Sequence, residues 1–486
     1  MRIVIIGAGF SGMGAAIRLR QAGFDDVVIL ERGNDVGGVW RDNSYPGCAC
    51  DVQSHLYSFS FAPNPAWTRS YSRQPEIFAY LRKVADDFSL RPLVRFGTDV
   101  HGATWTGGRW QISTSQGELT ADVLIAAQGA LSNPTFPALP GLDTFAGQTM
   151  HTGRWDKTID LTGRRVAVIG TGASAIQLVP AIQPLVAHLS VFQRTPPWIL
   201  PRNDGDIPSP LRALYTRLPL LQRIVRAAVA VQRELLRVSF VNATAERVVR
   251  GHALRYLKQI IADPVLRRQL TPRYAIGCKR ILMSDDYLPA LTRDNVQVVT
   301  DGIAEITADG VRAGGRDYPV DTLIFATGFQ VTDPPLAKQV TGRDGQTLAQ
   351  AWQGSMHAHV GTTVHGFPSF FMLLGPNTGL GHSSVVAMME AQLDHLVAAL
   401  HYMRAHGVRA LEPTIEAQDA FVKEVDQRMA GTVWLSGGCR SWYLDATGRN
   451  STLWPGSTSS FRRRVAPFDP REYHAPRALP ARSTPA

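Results

Sequence analysis

The chain has 486 residues, with 50 Lys and Arg against 40 Asp and Glu for a formal charge of +10. At about 150 residues per domain it is too long for one small binding module, and 44% hydrophobic with 19% charged residues excludes a disordered chain. The charge admits nucleic acid, anionic membranes and phosphate-bearing cofactors as partners without selecting one.

Met1 to Leu30 predicts one βαβ unit: the apolar run Ile3 to Ile6, a glycine turn, a helix from Gly12 to Gln21, and the run Val27 to Leu30. Arg165 to Gln193 repeats it, with Val166 to Ile169, further glycines, a helix through Ile182, then Leu189, Val191 and Phe192. Each unit is followed by a meander of short strands ending in an apolar strand and a glycine, at Asp122–Gly129 and Asp321–Gly328. The fold class is therefore doubly wound α/β with two Rossmann-like dinucleotide-binding domains in tandem. From Ser209 to Phe240 the period becomes helical through Leu211, Leu214, Leu218 and Leu221, with Ser209 and Pro210 as cap and first turn and Pro219 splitting the stretch in two. Arg212, Arg217, Arg223, Arg226, Arg233 and Arg237 face only Glu234, so the stretch reads as a helical insertion with a solvated basic face; peripheral membrane contact through 209–240 is the alternative. From Pro467 onward Pro, Arg and Ala predict a mobile tail.

The four cysteines, Cys48, Cys50, Cys278 and Cys439, are too few for a disulfide framework, and Cys48-x-Cys50 lacks the second ligand pair of a zinc site. Reduced thiols, no metal and a cytoplasmic location are expected. No apolar run is long enough to span a bilayer, and the first residues read as a buried strand rather than a leader.

Gly7-x-Gly9-x-x-Gly12 lies between strand and helix, where the glycines permit a tight turn, close approach of backbone to a pyrophosphate, and packing of helix on strand. Glu31 closes the next strand, 19 residues after Gly12, where a carboxylate accepts from ribose hydroxyls and repels a 2′-phosphate. This site suits the adenosine of FAD or NAD. The second turn is Gly170-Thr171-Gly172-Ala173-Ser174-Ala175, and its strand ends in Gln193-Arg194-Thr195. Arg194 by count, or Gln193 by strand pattern, replaces Glu31; either way the carboxylate is gone, and a guanidinium beside Thr195 suits NADPH. A disulfide reductase would need two cysteines soon after the first glycine turn, and none precedes Cys48. NADPH must then reduce a flavin that passes electrons elsewhere, most simply to dioxygen.

The segments Gly37-Gly38-Val39-Trp40 to Tyr45-Pro46-Gly47-x-x-x-Asp51, and Phe145-x-Gly147-x-x-x-His151-x-x-x-Trp155-Asp156, resemble those of the Baeyer-Villiger monooxygenases. The resemblance runs from Arg2 to about Asp469 and includes Lys279-Arg280, Gly375 to His382, and Cys439-x-Ser441-Trp442. The related flavin-containing monooxygenases usually end the second pattern in Tyr or Phe followed by Lys, so Trp155-Asp156 favours the ketone-oxidising branch.

The resemblance implies an NADPH- and O2-dependent FAD monooxygenase that turns a ketone into an ester or lactone through an anionic C4a-peroxyflavin. It places Arg280 beside the peroxide as a fixed cation, Asp51 as the carboxylate orienting it, Lys279 on the NADPH phosphate, and Trp442 on the nicotinamide ribose. It adds Ser11, Val39, Trp40 and Tyr57 to the flavin side, and gives His151 a hinge role rather than that of a base; Cys439 is then only a neighbour. The sequence departs from the well-known cyclic-ketone enzymes at Cys48-Ala-Cys50 and from Tyr443 to Asn450, so the particular ketone does not carry over. The expected organisation is an FAD domain over 1–149 and 336–466, an NADP domain over 150–335 with a helical insertion at about 205–275, and a tail over 467–486. The alternatives are S- or N-oxygenation of a soft heteroatom, and a flavin- and NADPH-binding redox sensor without turnover. The partners are then a small ketone and O2, with no nucleic acid.

Overall fold

A computed structural model describes residues 1–475. Two parallel five-stranded sheets form its centre. The first runs in the order Phe370–Met372, Val123–Ala126, Ile3–Ile6, Val27–Leu30, Val94–Arg95, and the second Gln148–His151, Thr322–Phe325, Arg165–Ile169, His188–Phe192, Val296–Val299. In each sheet the strand before the glycine turn is flanked by the strand that follows the helix and by the strand that ends the meander. Ile3–Ile6 and Thr322–Phe325 are buried throughout, as their uninterrupted apolar runs require of strands covered on both faces. The meanders are antiparallel, Val100–Thr106 to Gly117–Ala121 in one and Ile303–Thr307 to Arg316–Pro319 in the other.

Helix α1 (Phe10–Gln21) follows the first turn and α2 (Ala173–Ile182) the second. The insertion contains α3 (Ser209–Arg217), α4 (Pro219–Arg237) and α5 (Ala243–Ile260). Pro219 opens α4 at its first position, where the missing N–H costs nothing. Ser209 does not cap α3; Pro208 precedes the helix and no side chain caps it. Asn242 caps α5, its side chain accepting from Thr244 N and Ala245 N at 3.0 Å each. Helix α6 (Val385–His406) packs on α1, where a side chain at Gly14 would meet Leu393 Cδ1 at 3.0 Å.

The expected solvated basic face of the insertion holds for Arg217 and Arg223, which are exposed, but not for Arg226 and Arg233 of α4. Gln222 and Arg233 are its buried residues, whereas Leu220, Ile224, Val231 and Leu235 are 68, 56, 63 and 67% exposed. Arginines 226 and 233 turn inward because backbone carbonyls of the segment from Asp51 to Ser58 offer them acceptors. The expected mobile tail is also corrected at its start. Tyr473–His474 pairs antiparallel with Glu412–Pro413, and the buried Tyr473 hydroxyl lies 2.8 Å from His395 Nε2. The rest of the expected tail, 476–486, lies outside the described residues.

Candidate active site

One continuous cavity of about 1360 Å³ lies between the two sheets and is lined by both glycine turns. At the first, Gly7 has φ +102°, and a side chain there would meet Ala127 O at 2.9 Å; at Gly12 one would meet Gly7 O at 1.8 Å. These contacts bring α1 end-on to the cavity, with its unpaired N–H groups facing in. Glu31 is buried, its Oε2 accepting from Ala8 N at 2.9 Å and its Oε1 from Gly33 N at 2.7 Å and Arg41 Nη1 at 2.8 Å. A carboxylate so fixed keeps lone pairs for ribose hydroxyls. Trp40 Nε1 donates to Tyr57 Oη at 3.0 Å, and both rings, with Val39 and Ser11, line the same end. This cradle fits a flavin dinucleotide.

At the second turn Gly170 has φ +115°, and a side chain there would meet Ala326 O at 2.5 Å, while nothing lies within 4 Å of one at Gly172. A phosphate has room beside Gly172, Ala173 and Ser174, at the start of α2. The choice left open between Gln193 and Arg194 is settled by register. Phe192 pairs with Ile169 as Leu30 pairs with Ile6, so Gln193 is the counterpart of Glu31. It is buried, with Nε2 donating to Gln269 O at 2.9 Å, and the exposed Arg194 lines the cavity in its place beside Thr195 and Lys279. Burial and then the Arg194 charge pull Lys279 below the usual lysine range. Two cations facing each other in this way fit a phosphate monoester, as on the adenosine ribose of NADPH.

Between the two turns Arg280 Nε donates to Asp51 Oδ2 at 2.7 Å, and Arg280 Nη1 to Leu380 O at 3.1 Å. Their side chains are 24 and 26% exposed, into the cavity they line. Burial alone would raise Asp51, but Arg280, through charge and hydrogen bond, and then Arg233 and Arg202 outweigh it and hold the carboxyl below its ordinary value. Burial opposes the Arg280 charge and Asp51 more than offsets it, so the guanidinium is cationic at any working pH. Arg233 reaches in from α4, donating to Asp51 O at 3.2 Å, Tyr71 Oη at 3.0 Å and Gln53 Oε1 at 2.5 Å. Arg202 Nη2 donates to Cys50 O at 2.9 Å. Sequence reasoning missed Arg202 and Arg233, and gave Tyr443 no link to Arg280, whose nearby charge opposes the burial that pushes the phenol up to about 12. Tyr443 adjoins Trp442, and that neighbour was the signal for the link.

Residues 4–206 match the pyridine nucleotide-disulphide oxidoreductase family, a span that holds the first dinucleotide fold and the second glycine turn. A Baeyer-Villiger monooxygenase of Streptomyces coelicolor is 51% identical over 486 residues, covering 99% of this chain and 94% of that one; one of Pseudomonas aeruginosa is 47% identical over 97% and 91%. The chain belongs to the Baeyer-Villiger monooxygenases. Among solved structures, cyclohexanone monooxygenase from Rhodococcus sp. Phi1 bound to NADP+ superposes with a TM-score of 0.88 at 28% identity, covering 98% of this chain and 99% of that chain. Oxidized steroid monooxygenase bound to NADP gives 0.87 at 31%, with the same coverage. As a Baeyer-Villiger monooxygenase the chain is an α/β flavoprotein oxidoreductase, using FAD and NADPH with O2 on a small-molecule substrate.

The family fingerprint lies outside the cavity. Phe145 packs over Gly147, where a side chain would meet its ring at 2.6 Å, and Asp156 accepts from Thr158 N at 2.8 Å. Trp155 packs on the apolar core. His151 ends a strand of the second sheet between Phe136 and Phe329, and Nδ1 accepts from Gly153 N at 2.9 Å. Burial brings it down to about 4, so it is neutral at neutral pH and holds a turn. Trp442 is 46% exposed and lines the cavity rather than the core.

The expectation of four reduced thiols, with Cys439 a mere neighbour, is corrected. Cys278 and Cys439, 161 residues apart, form a disulfide, joining the residue before Lys279-Arg280 to the loop that carries Ser441-Trp442. Segments 161 residues apart had to pack before the pair could meet, so spacing gave no sign of it. Cys48 and Cys50 remain free and buried; burial pushes the Cys48 thiol up to about 12, so neither resembles a reactive redox pair. Among the described residues no helix is long and apolar enough to cross a membrane.

Proposed function

We propose that the chain inserts one oxygen atom beside a ketone carbonyl to give an ester or lactone, with Arg280 and Asp51 as its catalytic pair. The observation that carries this reading is the Asp51–Arg280 ion pair within a cavity shared by both glycine turns. Bound FAD, reduced by NADPH, supplies the oxygen-activating chemistry. Arg280 places a permanent cation where negative charge gathers on the attacking oxygen and on the former carbonyl oxygen, and it has no proton to lose at working pH. Asp51 takes Nε and Leu380 O takes Nη1, and together they fix the guanidinium in the cavity wall. Arg202 and Arg233, held on the backbone carbonyls of Cys50 and Asp51, add their charges near that carboxylate, a local field that favours an anion. Tyr443 stays protonated. The N-terminus of α6, with Ser383, Val385 and Val386 on the cavity wall, favours negative charge on the bound ring system.

Glu31 with Gly7, Gly9, Ser11 and Gly12 holds the FAD adenosine and pyrophosphate, and Val39, Trp40 and Tyr57 border the ring. Gly170, Gly172, Ala173, Ser174, Arg194, Thr195 and Lys279 would hold the NADPH phosphates, and Trp442, on the wall of the same cavity, would adjoin the nicotinamide ribose. The FAD domain comprises 1–149 and 336–466, and the NADP domain 150–335. A cytoplasmic location belongs to the same reading, since the NADPH pool is intracellular.

The test is Arg280→Ala in the holoenzyme under labelled O2, with flavin reduction followed by absorbance and products by mass. Reduction by NADPH persists, while ester formation falls about 10²- to 10³-fold. An unchanged ester yield removes Arg280 from its role, and a wild-type enzyme that oxygenates a sulfide but no ketone transfers the chain to the heteroatom branch.

A further inference from the structure

Helix α4 docks through a mixed face and leaves an apolar one outside. On its inward face Val229 and Leu236 pack on the core, while Gln222 Nε2 donates to Asn64 O at 2.6 Å, Arg226 Nη1 to His55 O at 2.8 Å, and Arg233 Nη2 to Asp51 O at 3.2 Å. Leu220, Ile224, Val231 and Leu235, with the less exposed Val238, lie on the opposite side. At 3.6 residues per turn they fall within an arc of about 60° and run for about 27 Å. A stripe of this kind, unbroken by a polar side chain, marks a surface that is covered in use.

Charge identifies the cover. Residues 209–260 carry ten Lys and Arg against two Glu. Neither Glu lies free at the surface: Glu234 Oε1 accepts from Thr458 N at 2.9 Å, and the Glu246 side chain is only 16% exposed. Arg217, Arg223, Arg247, Arg250, Arg255 and Lys258 of the insertion are exposed, as are Val248 and Leu254 of α5. Two copies of so basic a face repel, and the stripe offers on the order of 500 Å², against about 800 Å² per partner in a stable dimer. A nucleic acid would answer the arginines but not the exposed aliphatic side chains.

We propose that α4 lies in the plane of an anionic lipid surface, with Leu220, Ile224, Val231 and Leu235 among the acyl chains and exposed arginines of the insertion at the headgroups. The opposite face of that helix holds the backbone of Asp51, so the bilayer is one helix thickness from the catalytic cavity and from any ketone dissolved in the lipid.

The test uses the FAD-loaded full chain with sedimented vesicles of phosphatidylcholine, alone or mixed with phosphatidylglycerol. The wild type binds the mixed vesicles and not phosphatidylcholine alone, with binding weakened by salt. The double variant Ile224→Glu, Val231→Glu binds about tenfold or more weakly, keeping its flavin content and its rate of NADPH oxidation in solution. Absence of vesicle binding, or equal binding by wild type and variant, overturns the proposal. A dimer of the wild type that the same substitutions dissolve also overturns it, in favour of a second copy, as does retention on DNA in preference to the anionic vesicles.

Discussion

Glu234→Gln tests how the insertion is fastened to the rest of the molecule. The carboxylate projects from α4 to Thr458, accepting from its backbone N–H at 2.9 Å and from its hydroxyl, and lies 3.4 Å from His382 Nε2. Burial alone would raise Glu234, but the contacts of His382 and Thr458 outweigh it and bring it from 4.5 down to about 2. A carboxyl depressed in the folded state stabilises the fold fully above pH 4.5, and that contribution is lost as pH falls toward 2. The interval is worth at most about 3 kcal/mol. With the side chain 24% exposed and the His382 contact long for a hydrogen bond, we expect a loss of about 2 kcal/mol in Glu234→Gln at neutral pH. Because glutamine does not titrate, the gap between wild type and variant should narrow by about 1 kcal/mol at pH ~3.5. Urea unfolding followed by tryptophan fluorescence at both pH values measures it. A gap that stays constant with pH, or no gap at all, refutes the ionised latch.

Arg194→Ala should raise the KM for NADPH about tenfold or more and leave that for NADH nearly unchanged, measured by flavin reduction; equal effects on both would place Arg194 away from the 2′-phosphate. Arg233→Met should cost about 3 kcal/mol of stability through the acceptors it abandons. It should also move the acid limb of the ester-forming pH profile upward, because Asp51 loses a cation that helps hold it low. A profile with its acid limb unmoved would make Arg233 a packing residue only.

Both glycine turns, Glu31 and the Asp51–Arg280 pair were legible because each is set by a local rule or by a spaced motif that survives without coordinates. Gln193 and Arg194 could not be separated by counting, since one residue of strand register decides between them. Arg202 and Arg233 carry no motif: on sequence Arg233 is one of several helical arginines, and only the fold shows that Arg223 is exposed while Arg226 and Arg233 turn inward, Arg233 to the backbone of Asp51. The polarity of α4 was unreadable for the same reason, because an amphipathic pattern gives two faces without saying which is turned to the protein.

The bond between Cys278 and Cys439 closes a covalent ring between the segment that carries Lys279-Arg280 and the loop that carries Ser441-Trp442. If those segments move relative to each other, 278 and 439 cannot separate, and the bond acts as a rivet between them. Lys279 and Arg280 on one side and Trp442 on the other, one, two and three positions from it, are tethered close to that fixed point.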